Sequence, residues 1–233
     1  MSKLNDEDEI IISDSLNKAL SDTLKMKKYK INIDYELYEY ISKKIGLSGW
    51  TVPFSITFAD MDLFEKDSLT RRDIDAIFYK YYSEDEIFES MIDAILSNKN
   101  IERWHEAIEQ CVYAHKNKMF ILSISTLIPI LEGILSTFEN NKTNIKMMKV
   151  CKEMLETTDN KSIKKIMWIS CYHFISTLYQ KSDFSGTEPE TVNRHWILHG
   201  RTAFNNSEID SIRIFNAIET VSKIMKYNKK NKG

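Results

Sequence analysis

Three side chains late in the chain could act together in catalysis: Arg194, His195 and His199. If this stretch is helical, the two histidines share a face, because four residues make about one turn. Arg194 would lie about 140° round the helix from His199, a gap that its long side chain can bridge. An imidazole exchanges protons near neutral pH, and a guanidinium holds phosphate oxygens with its planar N–H groups. The three residues therefore indicate chemistry on a phosphodiester.

The flanking residues predict a helix of about 12 residues around this group. Thr187 and Glu190 have the spacing of a capping box, and Pro189 would lie in the first turn, where its missing N–H costs nothing. Gly200 follows at the point where a helix reverses into a left-handed cap. Arg194 would then have Glu190 as an available partner one turn earlier.

Residues 193–200, which read Asn-Arg-His-Trp-Ile-Leu-His-Gly, resemble the Arg-x4-His signature of HEPN domains in its abortive-infection form. The resemblance extends, less sharply, over residues 84–228. It implies an α-helical domain and, as in many members of that family, a metal-independent ribonuclease of phage defence or a toxin. The catalytic residues implied by the resemblance are Arg194 and His199, with Asn193, His195 and Glu132 in support.

The resemblance also implies a mechanism and partners. A histidine would draw the proton from a ribose 2′-OH, leaving a 2′,3′-cyclic phosphate and a 5′-hydroxyl on the cleaved RNA. HEPN nucleases dimerise so that two motifs face one another, which implies a homodimer through the motif helix. His195 could instead supply the second imidazole within one chain. An antitoxin or a phage-derived trigger would be a further partner.

Glu132 lies on the flank of an apolar helical stripe, upstream of the motif. A buried carboxylate there would need a cationic or hydrogen-bonding partner, which Arg194 or His199 could provide. At the water-facing edge of a helix it would need none. The sequence leaves both interpretations open.

Zinc binding is the competing chemistry, since His195 and His199 have the spacing of zinc ligands. The residue after His195 is Trp196, where zinc-binding helices of this kind carry Glu, and no third ligand lies in a supporting motif. There is also no Gly-rich phosphate loop. We therefore expect neither a metal nor a cofactor.

Two non-catalytic functions remain compatible with the sequence. One is a HEPN-like module that binds RNA or a protein without turnover. The other is a structural dimerisation protein in which Arg194 simply pairs with Glu132.

Charge is distributed unevenly along the chain. The formal net charge is −2, so the protein as a whole does not attract polyanions. Residues 1–100 carry 13 Lys and Arg against 20 Asp and Glu, whereas residues 101–233 carry 19 against 14. The half that contains the motif is the half that could meet phosphate, although such runs are also typical of a solvated face.

The cysteines and apolar runs indicate a cytoplasmic protein that does not enter a membrane. Cys111, Cys151 and Cys171 are odd in number and widely spaced, which fits a reduced compartment. The acidic N-terminal residues do not resemble a signal peptide. The most apolar run, 119–135, is interrupted by polar residues and predicts a core helix.

The remaining pattern predicts an all-α fold, a helical bundle with an N-terminal helical extension, and the resemblance implies that this bundle is HEPN-like. We assign residues 1–82 to the extension, 83–228 to the bundle and 229–233 to a basic disordered tail. Only three Pro and six Gly occur in 233 residues, which favours long helices. Four-residue patterns starting at Thr70 and Ser207 predict capping boxes.

Three local signals refine this prediction. Gly46 is expected to end a helix that starts at Tyr35. Asn100 is expected to cap a helix carrying Ile101 and Trp104 on its buried face. Residues 49–58 are predicted to form a structured loop or edge segment, because Pro53 argues against a central strand.

Overall fold

The structure is a computed structural model, and it describes residues 33–83, 85–139, 145–181, 183–203 and 207–230. Within these ranges all regular secondary structure is helical, which confirms the predicted all-α class. The fold described below belongs to the compact unit Tyr35–Gly233. The helix predicted within residues 1–30 lies outside the described residues.

The helices follow one another through short connections. The first four are α1 (Tyr35–Leu47), α2 (Phe58–Met61), α3 (Arg71–Tyr82) and α4 (Asp85–Leu96). The middle of the chain forms α5 (His105–Lys116), α6 (Phe120–Ser136), α7 (Met147–Thr157) and α8 (Ile163–Leu178). The last two are α9 (Arg194–Leu198) and α10 (Glu208–Lys230). Short 3-10 helices occupy Asp62–Phe64 and Lys99–Trp104.

One cluster of buried apolar side chains connects these helices. α6 packs against α5, α7 and α10, while α8 packs against α1 and α7. α6 is apolar on most of its circumference and runs unbroken through Pro129, as expected of a helix surrounded by others. Residues 35–82, the described part of the predicted extension, contribute to the same cluster.

Local capping chemistry sets several helix starts. The capping box of Thr70 and Asp73 is present at the start of α3, and Ser207 and Asp210 exchange the same pair of bonds before α10. Both predictions are confirmed. The prediction for Asn100 is wrong: the side chain of Asn98 accepts from the Asn100 N–H and caps the 3-10 helix before α5.

The predicted helix stop at Gly46 is also wrong. Gly46 lies inside α1 and is buried against α8. A Cβ at this position would lie 2.6 Å from both the Cβ of His173 and the carbonyl oxygen of Ser170. The glycine is required for the close approach of two helices, and the chain turns instead at Gly49, whose φ is +89°.

Residues 49–57 form the predicted loop, which polar groups fix to the core. The N–H of Thr51 donates to Oδ1 of Asn216 over 2.9 Å, and its hydroxyl lies 2.8 Å from that of Thr220. The N–H of Val52 donates to the hydroxyl of Ser170. Because all of these groups are buried, the bonds replace the water that the loop backbone would otherwise need.

A buried arginine ties the same loop to α3 and α10. Arg213 is 4% exposed and donates to Asp75 and, over 2.6 Å, to Asp210. Asp75 also accepts from the indole N–H of Trp50. These bonds satisfy charges that would be costly to bury alone, so we assign this group to the framework.

α10 extends through Lys230, two residues into the tail predicted at 229–233. Residues 231–233 lie outside the described part of the chain. None of the described helices is long and apolar enough to cross a membrane.

Glu219 generates a prediction about stability. Its side chain is buried on α10, and burial raises its pKa from 4.5 to about 7. Because its pKa is raised on folding, Glu219 contributes most to the free energy of unfolding below pH 4.5, where it is protonated. This contribution is lost as the pH rises through about 7 and the buried carboxyl becomes charged. Glu219→Gln should therefore raise the free energy of unfolding at pH 8 by about 3 kcal/mol relative to the wild type, at about 1.4 kcal/mol per pKa unit, and by much less at pH 4. Urea denaturation at both pH values measures the change in the free energy of unfolding, and the exposed Glu109→Gln is the control. Equal effects of Glu219→Gln at the two pH values would contradict the prediction.

Candidate functional site

The motif lies on a helix much shorter than predicted. α9 spans five residues, Arg194–Leu198, and begins at Asn193 rather than at Thr187. The 12-residue helix with a capping box of Thr187 and Glu190 is therefore wrong. Residues 183–193 form turns and irregular structure instead.

The two glutamates before α9 explain this difference, because each binds a distant group. Glu188 accepts hydrogen bonds from the hydroxyl of Thr202 and from the N–H of Ala203. Glu190 forms an ion pair with Arg71 at 3.2 Å, so it is not the partner of Arg194. These contacts hold the segment extended along the fold.

Asn193 starts α9. Its Oδ1 accepts from the backbone N–H groups of His195 and Trp196, and its Nδ2 donates to the carbonyl of Gln180 over 2.8 Å. The first two bonds satisfy N–H groups that a helix start leaves without partners. The third fixes the start of α9 to the end of α8. The side chain of Asn193 thus positions the motif by binding the backbone of α9.

Gly200 ends α9 as predicted. Its φ is +64°, and the N–H groups of Arg201 and Thr202 both donate to the carbonyl of Trp196. This left-handed reversal satisfies a carbonyl at the helix end. The buried indole of Trp196 anchors the helix between the two caps.

The side chain of Arg194 is held by Glu132 of α6. Nε of Arg194 donates to Oε1 of Glu132, and the two side chains are 26% and 24% exposed. The hydrogen bond to Glu132 raises the pKa of Arg194 further, so the guanidinium is always charged. The structure thus places Glu132 against one of the two partners expected from the sequence.

Tyr179, directly after α8, forms one wall of this ion pair. Its ring centroid is 5.3 Å from Cζ of Arg194, within cation–π range. Its hydroxyl is buried and makes no hydrogen bond with the described residues. Burial first, and then the neighbouring Glu132, hold its pKa well above 10. The phenol therefore stays neutral, and its ring covers one side of the Arg194 guanidinium.

His195 and His199 are parallel neighbours. Their ring centroids are 6.0 Å apart and the ring planes differ by 3°. Partial desolvation, followed by the positive charges of Arg194, His199 and Lys181, lowers the pKa of His195 below 6.5. His195 is therefore neutral at pH 7 and able to accept a proton. His199 lies on the exposed side of the motif.

Phe184 completes the surface around the histidines. Its ring forms T-shaped contacts with Trp196 and His199, with centroids 5.7 and 5.8 Å apart. Cζ of Arg201 is 5.6 Å from its centroid. Phe184 is 41% exposed, so an aromatic face lies beside the histidine pair.

Three of these residues were not predicted from the sequence. Tyr179 reads only as the last residue of the helical stripe that becomes α8. Lys181 and Phe184 lie in the polar stretch before the motif, where a lone aromatic is the sole local signal. Their proximity depends on the path of residues 180–193.

The described residues contain no group of three or more His, Cys, Asp or Glu side chains placed to hold a metal ion. No protein-family model, no curated protein and no solved structure matches the chain.

Asn193→Ala should weaken the fold around the motif. It removes two cap bonds and the bond to Gln180, so the free energy of unfolding should fall by about 1–3 kcal/mol. Urea denaturation measures the change. Asn117→Ala is the matched control, because Asn117 is exposed and its side chain bonds to the carbonyl of Tyr113. Equal losses in the two variants would show that the cap does not stabilise this region.

Proposed function

We propose that this chain is a HEPN-type endoribonuclease that cleaves RNA without a metal ion, with Arg194 and His199 as catalytic residues. The observation that carries the proposal is the fixed guanidinium of Arg194 beside two parallel imidazoles, that of His195 in α9 and that of His199 directly after it. Glu132 and Asn193 act as positioning residues. Glu132 holds the side chain of Arg194, and Asn193 holds the backbone at the start of α9.

The reaction needs a base, an acid and a cation. A neutral imidazole takes the proton from the ribose 2′-OH, and the 2′-oxygen forms a bond to the adjacent phosphorus. The bond from phosphorus to the 5′-oxygen breaks, and that oxygen receives a proton from an imidazolium. The products are a 2′,3′-cyclic phosphate and a 5′-hydroxyl.

Arg194 would stabilise the charge that develops on the non-bridging phosphate oxygens. Its bond to Glu132 uses the Nε–H, which is one of five N–H donors. The four on the two Nη atoms can form the paired hydrogen bonds that phosphate favours. A cation fixed before the reaction begins stabilises a transition state without reorganisation.

Two sources could supply the second imidazole. His195 is in the same chain, 6.0 Å from His199 between centroids, and its lowered pKa suits a base. The alternative is His199 of a second copy in a homodimer through the motif helix. We favour His195 as the base and His199 as the acid.

The role in phage defence or as a toxin rests on the sequence resemblance alone. On this proposal an antitoxin or a phage-derived trigger restrains or releases the nuclease. The structural dimerisation protein is the second candidate, and one observation favours it: Arg194 forms an ion pair with Glu132.

Substitution of His199 or Arg194 tests their assignment as catalytic residues. His199→Ala should lower the rate of RNA cleavage about 10²- to 10⁴-fold, because it removes the proton donor. Arg194→Lys keeps the charge but loses the planar donor set, and should lower the rate at least about tenfold. The measurement is cleavage of end-labelled RNA by purified protein, with products mapped for a cyclic phosphate.

The control is Arg72→Ala, which removes an exposed arginine of α3. Cleavage that is equal in wild type and His199→Ala would end the catalytic assignment. Salt-dependent RNA binding without turnover, unchanged in His199→Ala, would establish the binding module instead.

The pH profile tests the role of His195. A base must be unprotonated, so kcat/KM should rise with pH through a pKa below 6.5. It should fall again at higher pH, where the imidazolium that acts as the acid loses its proton. His195→Asn should abolish the rise and lower the maximum. His173→Asn is the matched control, because burial also lowers the pKa of His173 but its side chain packs on α1. An unchanged rise in His195→Asn would exclude His195 as the base.

A further inference from the structure

Phe184 has an exposed aromatic ring at the motif, and the proposed chemistry does not use it. Asp183 accepts a hydrogen bond from the N–H of Ser185 over 2.9 Å, and the N–H of Gly186 donates to the carbonyl of Asp183. These bonds close a turn with Phe184 at its second position. The turn presents the ring instead of burying it.

The ring also has a fixed place beside the histidines. It makes T-shaped contacts with Trp196 and His199, with centroids 5.7 and 5.8 Å apart, and Trp196 is buried. Such contacts hold the ring in one orientation, while Phe184 remains 41% exposed.

The charges around Phe184 complement a nucleic acid strand. Arg201 lies across the ring at 5.6 Å, and Lys181 and Arg194 both act on the pKa of the neighbouring His195. An aromatic face interleaved with cations is the arrangement by which proteins bind single strands, with bases stacked on rings and phosphates paired to cations. A paired base offers no free face and cannot stack there.

We propose that Phe184, with Arg201, stacks an unpaired nucleobase next to the scissile phosphate. This inference rests on the proposed function for the reaction, but base stacking can be measured without cleavage. Phe184 is a specificity-determining residue here, because it contacts the base and not the reacting atoms.

The binding test uses a short single-stranded 2′-O-methyl RNA that carries 2-aminopurine, whose fluorescence is quenched by stacking and whose blocked 2′-oxygen prevents cleavage. Phe184→Ala should bind about 5- to 150-fold more weakly, the loss expected for one base–aromatic stack. Phe184→Leu should lose a similar factor because it keeps apolar volume without a ring. Phe184→Tyr should bind and quench like the wild type.

Two controls separate stacking from damage to the fold. Tyr113→Ala removes an aromatic side chain that is 67% exposed on α5, and it should leave the Kd unchanged. The Tm of Phe184→Leu should stay close to that of the wild type. Binding of Phe184→Leu that equals the wild type would overturn the proposal, and so would equal weakening for single-stranded and fully paired RNA in Phe184→Ala.

Cleavage of unmodified RNA distinguishes this inference from the proposed function. If binding depends on Phe184 but the protein cleaves no RNA, the base-stacking proposal stands and the nuclease proposal fails. If the cleavage rate is the same in the Phe184 variants and on paired RNA, the nuclease proposal stands and the base-stacking proposal fails.

Discussion

The ion pair between Glu132 and Arg194 determines where the motif can act. Glu132 belongs to α6, which lies among the core helices, and its flanking residues Leu131 and Leu135 are buried. Both charged side chains are about one quarter exposed, so the pair adds little net stability by itself. Its effect is on position, because a carboxylate left without its partner at that depth would be costly. The core therefore fixes the direction of the guanidinium.

α9 could not hold the histidines by itself. A helix of five residues is far below the length at which an isolated helix forms in water. Asn193 caps its start, Gly200 reverses the chain at its end and Trp196 anchors it in the core. The parallel arrangement of His195 and His199 thus depends on tertiary contacts, although their spacing is local. Any function of the pair requires these three anchors.

Local chemistry was predictable from the sequence at some helix starts and not at others. Thr70 and Asp73 form a capping box, whereas Thr187 and Glu190 have the same spacing and do not. Before α9, Glu188 instead accepts bonds from Thr202 and Ala203, and Glu190 pairs with Arg71 of α3. The all-α class follows from the many signals that are local, whereas the length of the motif helix depends on a contact between distant segments.

The candidate site divides in the same way. The spacing of the motif indicated the shared face of its histidines. For Glu132 the sequence left open a water-facing position or a partner in Arg194 or His199, and the structure places it against Arg194. The sequence could not reveal Tyr179 or Phe184, because their place beside the motif follows from the path of residues 180–193. Gly46 failed as a helix stop for a related reason: the sequence shows a glycine, but only the packing of α1 on α8 shows why one is needed.

The surface around His195 links the binding of an anion to its protonation. Desolvation and the positive charges of Arg194, His199 and Lys181 hold the pKa of His195 low. A phosphate placed among these groups would offset their charge and raise that pKa. By linkage, a phosphate bound here favours protonation of His195. On the proposed function, the cations would keep His195 neutral before RNA binds, and the bound phosphate would then stabilise the protonated imidazole.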